Sequence, residues 1–219
     1  MFQVPLLLDG DRRRILVLGS HADDIEIGCG ATLLALTRAR PNLDVTWVVF
    51  GAQGVREDEA RASGEAFLTA AGRSEVIVHG FRDGFFPYVG GEIKDVFEDL
   101  KARIDPDIVF THTRHDLHQD HRLMCELTWN TWRDHLILEY EIPKYDGDLA
   151  TPNVFVSVPE ELAREKADLI VRLFETQGVK HWFDKELFLG LMRVRGMEGR
   201  SPSGYAEAFT CRKLALGIE

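Results

Sequence analysis

Residues 15–28 read Ile-Leu-Val-Leu-Gly-Ser-His-Ala-Asp-Asp-Ile-Glu-Ile-Gly. The run Ile15–Leu18 is apolar at every position. A strand with one wet face would alternate, so an unbroken run predicts a strand covered on both faces, as in a parallel sheet. The chain then turns polar within three residues, at His21, Asp23 and Asp24.

Working outward, the same alternation of strand and helix recurs. A helix is predicted from about Gly30 to Ala39, stopped by Pro41-Asn42. Val45–Phe50 is the second strand, and the Ala- and Glu-rich segment Glu57–Ala71 a helix closing at Gly72. Val76–Val78, a helix over Ile93–Ile104, the turn Asp105-Pro106-Asp107 and a strand at Ile108–Thr111 complete the series. Further on, Leu136–Ile142 and Val154–Val158 read as extended, and Pro159–Phe174 and Trp182–Val194 as amphipathic helices. The fold class is therefore α/β, a Rossmann-like three-layer sandwich with a mostly parallel sheet. No linker or repeat divides the chain, so residues 1–219 are expected to form one domain, with its core at about 14–131 and an elaboration over 132–219.

In open parallel sheets, ligands sit beyond the carboxyl ends of the strands. Strand one leads there into Gly19-Ser20-His21-Ala22-Asp23-Asp24. Strand four leads into His112-Thr113-Arg114-His115-Asp116-Leu117-His118-Gln119-Asp120-His121, which holds four of the eight histidines. His118 and His121 are three apart at a helix start and so are expected to share a face. Two imidazoles and a carboxylate with an open position describe a catalytic zinc site. His112 reads as a hydrogen-bonding residue at a strand end and His115 as a solvated loop residue.

Composition narrows the function. A formal charge of −10 and 28% charged residues describe an acidic, foldable chain that repels phosphate backbones, so no nucleic acid is expected. Arg12, Arg13 and Arg14 form the only basic cluster and read as a solvated strand edge. Cys29, Cys125 and Cys211 contain no CxxC pair and read as buried thiols in a reducing compartment. No apolar run of membrane-spanning length occurs, and the N-terminus is too short and too early acidic for a signal peptide, so a cytoplasmic location is expected.

At these residues the sequence resembles the PIG-L/LmbE-like family of zinc-dependent N-deacetylases. His21-Ala22-Asp23-Asp24-Ile25-Glu26-Ile27-Gly28 matches the family's H-[PA]-D-D-x-E-x-G motif, and His118-Gln119-Asp120-His121 its H-x-D-H motif. Pro106-Asp107-Ile108-Val109 leads into the second motif as in family members. The resemblance implies His21, Asp24 and His121 as ligands of Zn2+, with Fe2+ or another divalent ion as a substitute. It implies Asp23 as general base, His118 as oxyanion stabiliser or acid, and Asp120 as the partner that orients an imidazole. Arg56, followed by Glu59, matches an R-x-x-E element that lies near the substrate. Glu26 takes a structural or supporting role. The implied reaction removes an N-acetyl or other N-acyl group from an amino-sugar conjugate, and assemblies are common in the family, so a homo-oligomer is an expectation.

Three other readings compete. His118-x-Asp120 with a distant histidine imitates the facial triad of a non-haem iron oxygenase, which favours an all-β barrel. Gly28-Cys29-Gly30 half-resembles a dinucleotide fingerprint, but lies about ten residues beyond the strand end and reads better as close helix packing. A non-catalytic metal-binding or assembly protein is the third. Trp129, Trp132, Phe174, Trp182, Phe183 and Phe188 read mainly as core, with a substrate pocket or subunit interface as the alternative, and Tyr205, in the turn-rich run 201–209, as a turn tyrosine, with a reach to the pocket as its alternative.

Overall fold

The computed structural model describes residues 13–215. Arg12 and the N-terminal segment weighed as a signal lie outside the described residues. Seven strands form one sheet: β1 (Arg13–His21), β2 (Leu43–Gly51), β3 (Arg73–Val78), β4 (Ile108–His112), β5 (Leu136–Tyr140), β6 (Val154–Ser157) and β7 (Ala206–Thr210). Their order is β3-β2-β1-β4-β5-β7-β6. The first five pair in parallel, while β7 runs antiparallel to β5 and β6. Strand order reverses between β1 and β4, and such a switch point opens a crevice at the carboxyl ends of the two strands. Both polar clusters of the sequence follow those two strands.

Six helices cover the sheet: α1 (Asp24–Ala39), α2 (Val55–Phe67), α3 (Gly90–Arg103), α4 (Gln119–Thr131), α5 (Glu160–Leu173) and α6 (Lys185–Glu198). The pleat sends Ile15 and Val17 to a core shared with α1, α2, α5 and α6, and Leu16 and Leu18 to a second core under α3 and α4. Every one of these β1 side chains is 1% exposed or less, as the unbroken apolar run requires. This is the expected three-layer α/β sandwich.

Three of the differences from the sequence reading have a clear physical reason. Helix α1 starts at Asp24, six residues before Gly30, because Ile25, Ile27, Cys29 and Ala31 are buried around its circumference and leave no polar face to mark the period. Gly28 and Gly30 serve packing: a Cβ at Gly28 would stand 2.2 Å from the Tyr140 ring, and one at Gly30 2.7 Å from Phe67. Helix α2 ends at Phe67 instead of Ala71, so Gly72 is no cap; its amide donates to the Leu43 carbonyl at 3.0 Å on the way into β3. The run 201–209 yields a strand, β7, that inserts between β5 and β6, and Tyr205 packs in the core instead of facing the crevice.

The β7 insertion is held by a buried charge pair. Glu207, 3% exposed, accepts from the Ala31 and Thr32 amides of α1 at 2.9 and 2.6 Å and from Lys166 Nζ at 2.6 Å. Lys166 also donates to the Ile27 carbonyl at 2.6 Å. The pair therefore stitches β7 and α5 into the backbone of α1, whose first turn carries Asp24. Arg13 and Arg14 pair with Asp107 and Asp105 across the opening of β4, in keeping with a strand edge.

Candidate metal centre and active-site cleft

Three nitrogen and oxygen atoms from β1, α1 and α4 converge at the switch point. His21 Nδ1 lies 3.2 Å from His121 Nε2 and 3.4 Å from Asp24 Oδ2, and His121 Nε2 lies 3.5 Å from Asp24 Oδ2. A tetrahedral ion with bonds of about 2.0–2.1 Å spaces its ligands about 3.3–3.4 Å apart, so the triangle fits a small divalent cation such as zinc.

Hydrogen bonds to carboxylates assign the tautomers. His121 Nδ1 donates to Asp116 Oδ2 at 2.9 Å, which leaves Nε2 with a free lone pair. His21 Nε2 faces Asp120 Oδ2 at 3.1 Å and Asp83 Oδ1 at 3.0 Å, which leaves Nδ1 free. Asp120 is fully buried and also accepts from the Gly84 and Phe86 amides, so its carboxylate orients the His21 ring and does not face the cleft. Gly84 adopts a φ of 78° to turn its amide toward Asp120, a conformation that favours glycine.

The ionisation of His121 and Asp24 suits ligands, whereas His21 must give up a proton before its Nδ1 can bind a metal. Burial and the neighbouring His112 push His121 down to about 4, so its ring is neutral at neutral pH. Burial works against the charge on Asp24, but the His121 and His112 rings and its hydrogen bonds hold the carboxyl well below the usual carboxylate range. Burial likewise opposes a charge on His21, yet Asp120, Asp24 and Asp83 together raise it well above its usual value.

His112 adjoins the centre without fitting as a ligand. Its Nε2 accepts from the Ser20 amide at 3.0 Å, which occupies the lone pair that a metal would need. The ring is fully buried and stacks on His121 with centroids 3.9 Å apart, so it is a hydrogen-bonding strand-end residue that also fixes the His121 plane. His115 is exposed.

His118 caps α4 with its ring beside the His121 ring, centroids 4.6 Å apart, so the two share a face as expected. The His118 Nδ1 accepts from the Asp120 amide at 3.2 Å, so the ring proton lies on Nε2, and the residue lines the cleft. Asp23 opens the other side. Its Oδ1 pairs with Arg56 Nη2 at 3.1 Å, and burial raises its carboxyl above the usual range against the pull of that guanidinium. Arg56 also binds Glu59 at 2.8 Å and lies over the Phe174 ring. Glu59 in turn accepts from Thr176, tying the segment after α5 to the cleft.

The cleft holds about 500 Å³ and is lined by His21, Asp23, Asp24, Arg56, His118 and His121, with outer walls from Phe81, Arg82, Lys144, Lys180 and Trp182. Sequence reasoning passed over two carboxylates here. Asp116 stood inside the quoted second cluster and could have been singled out as a partner for His121; it also binds Lys144 at 3.0 Å. Asp83 had no motif to mark it, because only the fold brings the loop after β3 against His21.

An α/β switch-point cleft with a His₂Asp triangle and a neighbouring carboxylate offers the donor set for a divalent ion. The chain belongs to the family described as GlcNAc-PI de-N-acetylase (PIG-L), which matches residues 16–132. An uncharacterized deacetylase, YaiS of Escherichia coli strain K12, is 33% identical over 163 residues, covering 68% of this chain and 84% of that protein. The N,N'-diacetylchitobiose deacetylase of Pyrococcus horikoshii superposes with a TM-score of 0.67 at 18% identity, over 91% of this chain and 83% of that one. GalB, the 4-carboxy-2-hydroxymuconate hydratase of Pseudomonas putida KT2440, superposes with a TM-score of 0.70 at 14% identity, over 94% of this chain and 99% of that one. Among the described residues, no helix is long and apolar enough to cross a membrane.

Proposed function

We propose that this protein is a zinc-dependent N-deacetylase acting on an amino-sugar conjugate. The observation that carries the reading is the triangle of His21 Nδ1, Asp24 Oδ2 and His121 Nε2, with Asp23 beside it in the same cleft. The family match and the deacetylase relative support hydrolysis of an N-acetyl group.

His21, Asp24 and His121 would hold a divalent ion, and such an ion would supply a water of lowered pKa and polarisation of an amide carbonyl. Asp23 accepts a proton from the attacking water; its raised carboxyl makes it a better base than an exposed aspartate, and Arg56 keeps it oriented. His118 Nε2–H donates to the oxygen that gains charge, and its proton is available to the departing amine. Asp116 and Asp120 hold the two ligand rings in register from behind. Atoms balance as amide plus water giving amine plus carboxylate.

The fold alone does not choose hydrolysis, since a hydratase shares it. Stoichiometry of products chooses. Zinc-loaded protein incubated with N-acetylglucosamine conjugates is expected to release amine and acetate in equal amounts, to stop when a chelator removes the metal and to recover when zinc returns. Metal-bound protein that releases neither from a panel of N-acyl amino sugars would leave the non-catalytic reading in place.

A further inference from the structure

Asp23 is reached by a chain of contacts that begins outside the region matched by the family. Its Oδ1 meets one arm of the Arg56 guanidinium, Nη2, at 3.1 Å. The other arm, Nη1, donates to Glu59 Oε2 at 2.8 Å. Glu59 is 8% exposed and is seated on Thr176, in the segment after α5 and beyond the matched residues 16–132. The Thr176 amide donates to Glu59 Oε1 at 2.9 Å and its hydroxyl to Oε2 at 2.7 Å, so one residue holds both carboxylate oxygens.

The direction of each bond follows from what the groups can donate. An ionised carboxylate only accepts, so the Thr176 hydroxyl gives its single proton to Glu59. The hydroxyl oxygen in turn accepts from Gln177 Nε2 at 3.1 Å and Arg56 Nη1 at 3.4 Å. Phe174, two residues earlier, presents its ring to the same guanidinium, with Arg56 Cζ 5.3 Å from the centroid. Segment 174–177 therefore restrains Arg56 through both its flat face and its Nη1 arm.

Left unrestrained, a guanidinium favours a two-pronged pairing that occupies both oxygens of a carboxylate. A general base needs one of those oxygens for the proton of the attacking water. With Nη1 held by Glu59, the fork of Nη1 and Nη2 cannot close on Asp23.

We infer that Thr176 is a positioning residue: acting through Glu59, it keeps Arg56 from closing both prongs on Asp23 and so keeps one Asp23 oxygen free for the water. The inference rests on the deacetylase reading above and deepens it, because a residue of the C-terminal half then governs the base. Thr176 is itself exposed, so its side chain can be changed without disturbing the core.

The test compares the zinc-loaded parent, Thr176→Val and Thr176→Ser on methyl N-acetylglucosaminide. Valine keeps the shape and the amide and removes only the hydroxyl, which serine restores. In Thr176→Val, kcat is expected to fall about tenfold or more, as for loss of a hydrogen bond to a charged group, with KM and zinc content unchanged. Thr176→Ser is expected to keep a kcat close to that of the parent. In an Arg56→Gln background, Thr176→Val is expected to change kcat by less than about twofold, since the arm it restrains is gone. An unchanged kcat in Thr176→Val, an equal fall in Thr176→Ser, or a fall of the same size in the Arg56→Gln background would overturn the inference. Absence of turnover in the parent would count against the deacetylase reading, and a crystal structure of zinc-loaded Thr176→Val then decides the inference on its own. Arg56 paired through Nη1 and Nη2 with both Asp23 oxygens upholds it; any other placement of Arg56 overturns it.

Discussion

Two buried glutamates show how differently the two halves of this molecule are built. Glu26, in the motif-bearing half, is fully buried on α1, and neither of its carboxylate oxygens makes a well-formed hydrogen bond. Burial pushes its carboxyl well above the usual range, offset in part by the Ser63 hydroxyl. Glu207, in the C-terminal half, is almost as buried but accepts from two α1 amides and Lys166. The first half arranges polar groups for chemistry at the cost of stability, whereas the second uses one to lock β7 and α5 against α1. The cleft follows the same division. Its inner groups come from β1, α1, α2 and α4 and the residues that cap them, and part of its outer wall, Lys144, Lys180 and Trp182, from residues beyond 131.

The sharpest way to break this division is to remove the proposed base while leaving the scaffold alone. Asp23→Asn is expected to lower kcat by about 10²- to 10⁴-fold with bound metal retained. Turnover near that of the parent would take the base role away from Asp23. On the other side, Glu207→Ala leaves Lys166 as a buried charge without its carboxylate. Chemical denaturation is expected to register a loss of about 3–5 kcal/mol. A loss below about 1 kcal/mol, the range of an exposed pair, would mean that the clasp does not hold the halves together.

A smaller effect separates orientation from ligation. Asp120→Asn keeps the shape but weakens the acceptor behind His21, and zinc affinity is expected to drop by about 10- to 100-fold. An unchanged Kd would show that the Gly84 loop alone positions the ring. The smallest effect concerns Glu26. Its folded-state value lies above the unfolded 4.5, so the stability it permits is fully present below that pH and is lost as pH rises through the folded value. Glu26→Gln cannot ionise. Its stability relative to the parent should therefore increase as pH rises above 4.5, by at most about 1.4 kcal/mol per pH unit. A difference independent of pH would contradict a buried, protonated Glu26.

Much of the fold and the inner site is legible in the sequence because the information is contiguous. Ile15–Leu18 and His21 through Asp24 are a strand and its exit in one stretch, and Ile108–His112 and His118 through His121 repeat the pattern. Their convergence follows from the rule that ligands bind at the carboxyl edge of a parallel sheet. What stayed hidden depends on partners remote in sequence. The insertion of β7 is decided by pairing with β5 and β6 and by Glu207 reaching α1, none of which leaves a local period. Asp83 acquires its place through a loop held by Asp120. The start of α1 was masked by uniform burial, the opposite of the amphipathic pattern that reveals α5.

Metal binding by His21, Asp24 and His121 is the property on which the proposed chemistry depends. Purified protein and His121→Ala, both reconstituted with zinc and freed of excess, should be compared by elemental analysis. The parent is predicted to hold one zinc per chain and the variant close to none, since two donors remain of a three-atom triangle. Equal metal in the two proteins, or none in either, would contradict a centre built on His21, Asp24 and His121.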